Sequence, residues 1–297
     1  MSAATDVRQS KGATVRLFSA PWPVRATFRV LEHTAPGLGA RWAEQIWSTL
    51  PRPKQERAPR AVPPMPPEPF TIAVDGHQVI GESWGEGPPV YLVHGWGGYA
   101  GQLAAFVPAL VSLGYRAVAF DMPSHGRSAP GVFGPRSSSI PEFAGALAAV
   151  AATFGPAHAV IAHSMGGTAT AAALRDGLPV RRVALIAPMA SPVAHLRQLA
   201  DVLGFGERTL RRLQVRIGHR IGAPMHHFDV PDLGRTVAVP PTLVVHDRDD
   251  ASTPVADGEA IAAAWPGSRL RVTSGLGHRR ILRDPAVVAE VLDFVST

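Results

Sequence analysis

Between residues 70 and 297, short runs of consecutive apolar residues alternate with longer stretches whose apolar positions recur every three or four residues. Phe70–Val74 and Gln78–Trp84 predict a hairpin turned at Asp75-Gly76. Val90–Val93, Arg116–Phe120, Ala157–Ala162, Arg182–Ala187, Thr242–Val245 and Arg269–Thr273 read as short strands. The stretches Tyr99–Leu113, Ile140–Phe154, Ser164–Arg175, Val255–Trp265 and Pro285–Phe294 read as helices. Strands alternating with helices predict βαβ units, hence an α/β fold with a mostly parallel central sheet and helices on both faces. An antiparallel hairpin at the front fits that plan.

The alternation stops between Pro188 and Pro241. Residues 188–240 instead carry helical patterns near Val193–Leu203 and Glu207–Arg220, which predicts a helical lid inserted between two strands. Its Leu196, Leu199, Leu203, Phe205, Leu210 and Leu213 suit two roles, an apolar roof over a substrate or glue that holds the lid to the body. Ahead of the alternating region, residues 1–20 read as a flexible leader. Val24–Leu50 reads as helix, broken near Pro36-Gly37. Its stripe of Phe28, Leu31, Leu38, Trp42, Ile46, Trp47 and Leu50 fits docking on a protein core better than a membrane. The proline-rich stretch Pro51–Pro69 can be neither helix nor central strand and reads as a linker. The expected organisation is therefore an N-terminal helical extension with leader and linker over 1–69, and a catalytic domain over 70–297.

Composition changes this picture little. Hydrophobic residues make up 46% and charged residues 18% of the chain, which suits a globular protein and argues against disorder. The net charge of +6 comes almost wholly from scattered arginines, since Lys11 and Lys54 are the only lysines. Scattered arginines without a recognition motif do not indicate a nucleic-acid partner. No apolar run is long enough to expect a transmembrane segment, and the N-terminus lacks the apolar core of a secretory signal. The absence of cysteine rules out disulfides, thiolate–metal sites and a cysteine nucleophile. A cytoplasmic location is the expectation.

Two local patterns carry candidate chemistry. Val160-Ile161-Ala162-His163-Ser164-Met165-Gly166-Gly167 sets a serine between a buried strand and a helix of small residues. A nucleophile elbow needs that arrangement, because its turn is too tight for large neighbours two positions away. The usual form is G-x-S-x-G, and Ala162 replaces the first glycine. Val93-His94-Gly95-Trp96-Gly97-Gly98 follows another buried strand. Its glycines can bend the backbone so that the Trp96 N–H, with the N–H of Met165, faces a developing oxyanion. The same residues also suit a plain tight turn, with His94 as its hydrogen-bonding residue. The stretch Gly95–Gly98 lacks the lysine of a phosphate loop and the dinucleotide fingerprint, so no nucleotide cofactor is expected. His226-His227 has no further ligand at metal-binding spacing, and no metal is expected.

With these motifs in place, the sequence resembles the α/β-hydrolase superfamily from Phe70 to its end. Beyond the oxyanion turn His94–Gly98 and the elbow, Asp121-Met122-Pro123-Ser124-His125-Gly126-Arg127-Ser128 is similar to the family's D-x-P-G-x-G-x-S, with Ser124 in place of glycine. The resemblance implies a triad in the order serine, acid, histidine. The pattern G-x-x-D-x-x-x-P selects Asp250, four residues before Pro254, over Asp247 and Asp249. The histidine falls at His278, within Gly275-Leu276-Gly277-His278-Arg279-Arg280, in a loop before the last helix. Ser164, Asp250 and His278 are thus the candidate catalytic residues, and His163 reads as filler of the elbow.

The activity this implies is hydrolysis of a small or medium carboxylic ester, with an apolar acyl group, through an acyl-enzyme and without a cofactor. Amide, lactone, thioester and carbon–carbon hydrolysis, perhydrolysis and acyl transfer use the same triad and remain open. So do a catalytically inactive module that binds a small ligand, and a docking role for the N-terminal helices. The oligomeric state is not legible.

Overall fold

The computed structural model of the chain describes residues 20–51 and 65–297. The expected leader up to residue 19 and most of the proline-rich linker lie outside the described residues. Two helices come first, α1 (Trp22–Thr34) and α2 (Pro36–Ser48). Each has a proline in its first turn, where the missing N–H breaks no intrahelical bond. The alternating region follows with β1 (Glu68–Val74), β2 (His77–Trp84), β3 (Pro89–Val93), α3 (Val107–Ser112), β4 (Arg116–Phe120), α4 (Ile140–Phe154), β5 (Ala157–His163), α5 (Met165–Arg175) and β6 (Val180–Ile186). The insertion contributes α6 (Pro192–Leu203), α7 (Glu207–Ile221) and α8 (Val230–Thr236). The series then resumes with β7 (Thr242–Asp247), α9 (Val255–Ala264), β8 (Arg269–Thr273), α10 (Gly277–Arg280) and α11 (Pro285–Ser296).

All eight strands form one sheet in the order β1-β2-β4-β3-β5-β6-β7-β8. β1 and β2 pair antiparallel across a turn whose Asp75 and Gly76 both take positive φ (49° and 79°), the geometry that Asp-Gly favours in a two-residue hairpin. β2 joins β4 antiparallel, and every other pairing is parallel. Parallel strands are covered on both faces, which is why they read as continuous apolar runs. Tyr91, Val93, Val160 and Ala162 point into a core shared with α4 and α5, while Val90, Leu92, Ala159 and Ile161 point to the other side, against α3 and α11.

The strand order reverses direction beside β3. The chain leaves β3 for β4 on one side, then returns to place β5 on the other. Segments leaving the ends of β3 and β5 therefore diverge and open a crevice, the usual ligand position in open α/β sheets. Both sequence motifs, His94–Gly98 after β3 and Ser164 after β5, sit there. The stretch after β3 differs from expectation. Tyr99–Leu113 is a 3-10 helix (Ala100–Phe106) followed by α3 rather than one helix, and Pro108, which has no N–H to donate, marks the change.

The N-terminal helices pack on the insertion. Phe28, Ala40 and Ala43 form a third apolar cluster with Leu196, Leu203, Phe205, Leu210 and Leu213. Phe28 stacks on Trp42 at 4.5 Å and meets Phe205 at 5.3 Å. Polar contacts fix the register. Glu32 accepts from the N–H groups of Arg208 (2.9 Å) and Thr209 (3.1 Å) in the first turn of α7, and Arg25 donates to the carbonyls of Asp201 and Val202 at the end of α6. Most of the insertion's leucines are thus glue, but to the N-terminal pair; Leu199, partly buried beside the cluster, is also left to line a cavity. Among the described residues no helix is long and apolar enough to cross a membrane.

Glu32 is buried against otherwise unpaired helix donors that favour its charge. Glu32→Ala is expected to lower stability by about 1–2 kcal/mol, read as a lower urea midpoint. Amide exchange should speed up in α7 before it does in the sheet.

Candidate active site

Ser164 joins β5 to α5 at φ 54° and ψ −126°, outside the regions a non-glycine residue prefers. Its surroundings leave little alternative. A Cβ on Gly95 would lie 2.7 Å from the Ser164 Cβ, and one on Gly166 would lie 2.6 Å from the His94 carbonyl oxygen. The elbow and the 94–98 turn are therefore in backbone contact, and only glycine fits at those two places. Ala162, two residues before Ser164, is fully buried. The Ser164 N–H donates to the Ile186 carbonyl (3.0 Å), which ties the strained turn to β6.

Asp250 and His278 come together. The His278 Nδ1–H donates to the Asp250 carboxylate at 2.7 Å. The other Asp250 oxygen accepts from the N–H groups of Ser252 (2.7 Å) and Thr253 (3.0 Å), while the Thr253 hydroxyl donates at 3.0 Å to the oxygen that His278 contacts. Burial alone would raise the Asp250 carboxyl. The hydrogen bond and charge of His278, with the two backbone donors, outweigh burial and hold it below the usual carboxylate range. Asp247 binds the backbone just before His278. Its oxygens accept from the Asp249 N–H, the Thr273 hydroxyl and the Leu276 N–H. Asp249 accepts from the Gly275 N–H at 2.8 Å. These two aspartates pin the segment that leads to His278. His278 itself sits not in a loop but in the one-turn helix α10.

Two further residues brace the turn after β3, and the sequence reading assigned them no part. Asp121, at the end of β4, accepts from the Ala100 N–H (2.7 Å) and the Arg127 N–H (2.9 Å). His125 accepts from the Gly97 N–H at 3.0 Å and donates to the Pro123 carbonyl. His94 accepts from the Met122 N–H (3.0 Å) and donates to the Gly95 carbonyl (2.8 Å). The segment Asp121–Ser128 was the available signal. Within it, Ser124 takes φ 65°, where glycine would be unstrained. Its hydroxyl accepts from the Gly131 N–H and donates to the Gly134 carbonyl, which offsets the strain. His163 donates to the carbonyl of His278 at 2.9 Å and so fixes the backbone of α10.

Ser164, His278, Trp96 and Met165 line one cavity of about 430 Å3. Met165 opens α5, so its N–H is one of the donors that a helix leaves without an intrahelical acceptor. A larger cleft of about 760 Å3, lined in part by small residues of α4 and α5, contains none of the candidate residues. Among the described residues no group of three or more histidines and carboxylates could hold a metal ion.

Comparison with known proteins agrees with this architecture. The family described as the alpha/beta hydrolase fold matches residues 88–231. A non-heme haloperoxidase of Rhodococcus erythropolis is 25% identical over 277 residues, a match that takes in 77% of this chain and 100% of that protein. The crystal structure of esterase RhEst1 from Rhodococcus sp. ECU1013 superposes with a TM-score of 0.57 at 20% identity, over 78% of this chain and 99% of that one. A thermophilic esterase from Thermogutta terrifontis gives 0.57 at 22% identity, over 77% and 100%. The chain has the α/β-hydrolase fold. Nearly a quarter of it lies outside each of the three protein matches.

Two outcomes follow from this packing. Gly95→Ala should cost about 1–3 kcal/mol in urea unfolding, because neither backbone can yield to the new methyl group. The second concerns pH. Burial lowers His94 to about 4 and His125 to about 3, so both stay neutral when folded. The unfolded chain takes up protons below the ordinary histidine value of about 6.5. Stability should be fully present above that pH and fall as pH drops toward 4, by about 1.4 kcal/mol per pH unit for each such histidine. Urea midpoints measured from pH 7.5 to 4.5 would show this slope; a flat profile would mean that the two rings are not buried neutral.

Proposed function

We propose that this protein is a serine hydrolase that cleaves a carboxylic ester of small or medium size through an acyl-enzyme. The observation that carries the reading is the Asp250–His278 hydrogen bond at 2.7 Å, in a cavity that also holds the strained Ser164. With Nδ1 donating to Asp250, the His278 Nε2 lone pair is left to act as base. Ser164 Oγ attacks the ester carbonyl while its proton passes to Nε2. The tetrahedral oxyanion is held by the N–H groups of Trp96 and Met165. Collapse expels the alkoxide, which takes the proton from Nε2, and water activated by the same nitrogen then releases the acid. Asp250 stays ionised throughout and stabilises the imidazolium. No cofactor takes part in this scheme.

The relative named a haloperoxidase favours a second reading on the same residues. Hydrogen peroxide in place of water at the second step would release a peracid from the acyl-enzyme. The two readings share the nucleophile and differ in the deacylating reagent.

A fluorophosphonate probe should label the wild type at Ser164, and short or medium p-nitrophenyl esters should be turned over. Ser164→Ala and His278→Ala are expected to lose labelling and at least a thousandfold in kcat/KM. Asp250→Asn should lose less than either but well over tenfold, while Asp247→Asn should chiefly lower stability. Bromination of monochlorodimedone in acetate, bromide and peroxide would identify the perhydrolase. A folded wild type that neither labels nor turns over any ester would leave a ligand-binding module as the better reading.

A further inference from the structure

The cavity over Ser164 is not closed by the catalytic domain alone. Ile46 and Trp47, at the end of α2, line it together with Trp96, Met189 and Leu199. The chain just beyond them is fastened to the body. The Leu50 N–H donates to the Arg136 carbonyl (2.8 Å), and the Arg136 guanidinium returns a bond to the Leu50 carbonyl (2.9 Å). Pro51 packs so closely on the turn after β3 that a Cβ on Gly97 would lie 2.5 Å from its ring. On the other side, α2 is held to α7 by the Glu44–Arg216 ion pair at 2.7 Å and by the shared apolar cluster. The end of α2 thus spans from the oxyanion turn to the inserted helices.

We infer that the end of α2 is the outer wall of the substrate cavity, and that Ile46 and Trp47 select for an apolar acyl chain of medium length. The substrate side of this inference rests on the serine-hydrolase reading; the wall itself does not. A cavity of about 430 Å3 falls within the range of small-molecule sites, and an acetyl group on Ser164 would leave most of it empty. Ile46 remains 38% exposed while lining the cavity, which places the mouth beside it. Two arginines, Arg220 and Arg279, line the cavity as well. Arg220 donates from its guanidinium to the Ser137 hydroxyl (2.7 Å) and lies over the Phe133 ring at 4.3 Å. It acts as a strut between α7 and the loop before α4.

The test compares p-nitrophenyl octanoate with p-nitrophenyl acetate, using the full chain and Trp47→Ala. The octanoate-to-acetate ratio of kcat/KM is expected to fall at least tenfold, chiefly through KM, and Trp47→Phe should recover most of it. Leu38→Ala, on the same helix but exposed and outside the cavity, should leave the ratio within twofold of wild type. Should Trp47→Ala fail to fold, Ile46→Ala tests the same wall at a site with less packing to lose, with an expected fall of at least threefold. A binding measurement separates this inference from the reaction. Calorimetric titration of Ser164→Ala with octanoate should show affinity at least fivefold weaker when Trp47→Ala is added. If no ester is cleaved but this difference is seen, the hydrolase reading fails and the wall stands. Acetate and octanoate turnover falling in parallel, or an unchanged ratio and an unchanged octanoate affinity, would overturn the wall.

Discussion

Ser164 is held in a backbone conformation that costs about 1–3 kcal/mol, and the contacts that hold it there organise most of the site. The turn can exist only because two backbones touch without side chains between them. Gly166 lets α5 start against the His94 carbonyl, and Gly95 lets the turn after β3 lie on Ser164. That contact brings the N–H groups proposed for the oxyanion to the same end of the sheet as the hydroxyl. It also explains the buried polar network behind the turn. A strained segment that must meet a second one within a few tenths of an ångström needs its own backbone groups tied down, and Asp121, His125 and His94 do this through N–H and carbonyl contacts.

The same requirement sorts the histidines. His94, His125, His163 and His246 are buried, and burial pushes each below its ordinary pKa. At neutral pH they are uncharged struts. His278 alone among these neighbours reaches the cavity, with its ring hydrogen-bonded to the Asp250 carboxylate. In the proposed acylation, a positive charge on His278 would therefore meet one carboxylate and no competing cation among those four rings. In a crowded polar site, keeping most groups neutral matters as much as placing one charge.

How much of this was legible in the sequence follows from how local each constraint is. The elbow and the glycine turn were legible because strain and close approach demand particular small residues at fixed offsets. The strand series was legible because both faces of a parallel sheet are buried. The choice among Asp247, Asp249 and Asp250 needed the family pattern, since all three follow the same strand and only side-chain direction separates them. The parts played by Asp121 and His125 were not legible. Both act on backbone N–H groups of a segment more than twenty residues earlier, and backbone groups leave no trace in a residue pattern.

The N-terminal helices show a different limit. Their amphipathic stripe states that one face is covered but carries no information about what covers it. The insertion has the complementary difficulty, because Leu196, Leu203 and Leu213 look alike whether they meet substrate, sheet or another helix. Packed together, the N-terminal helices and α6 and α7 satisfy one another, while Phe228, Val230 and Leu233 of the insertion join the core beside the sheet. What remains for the cavity is one edge of that shared cluster, Leu199, Ile217, Ile221 and Met225 from the insertion and Trp47 from α2. Substrate contact is then set by where the cluster ends rather than by either segment's own pattern. Changes in the buried cluster should therefore register as stability, and changes at its edge as selectivity.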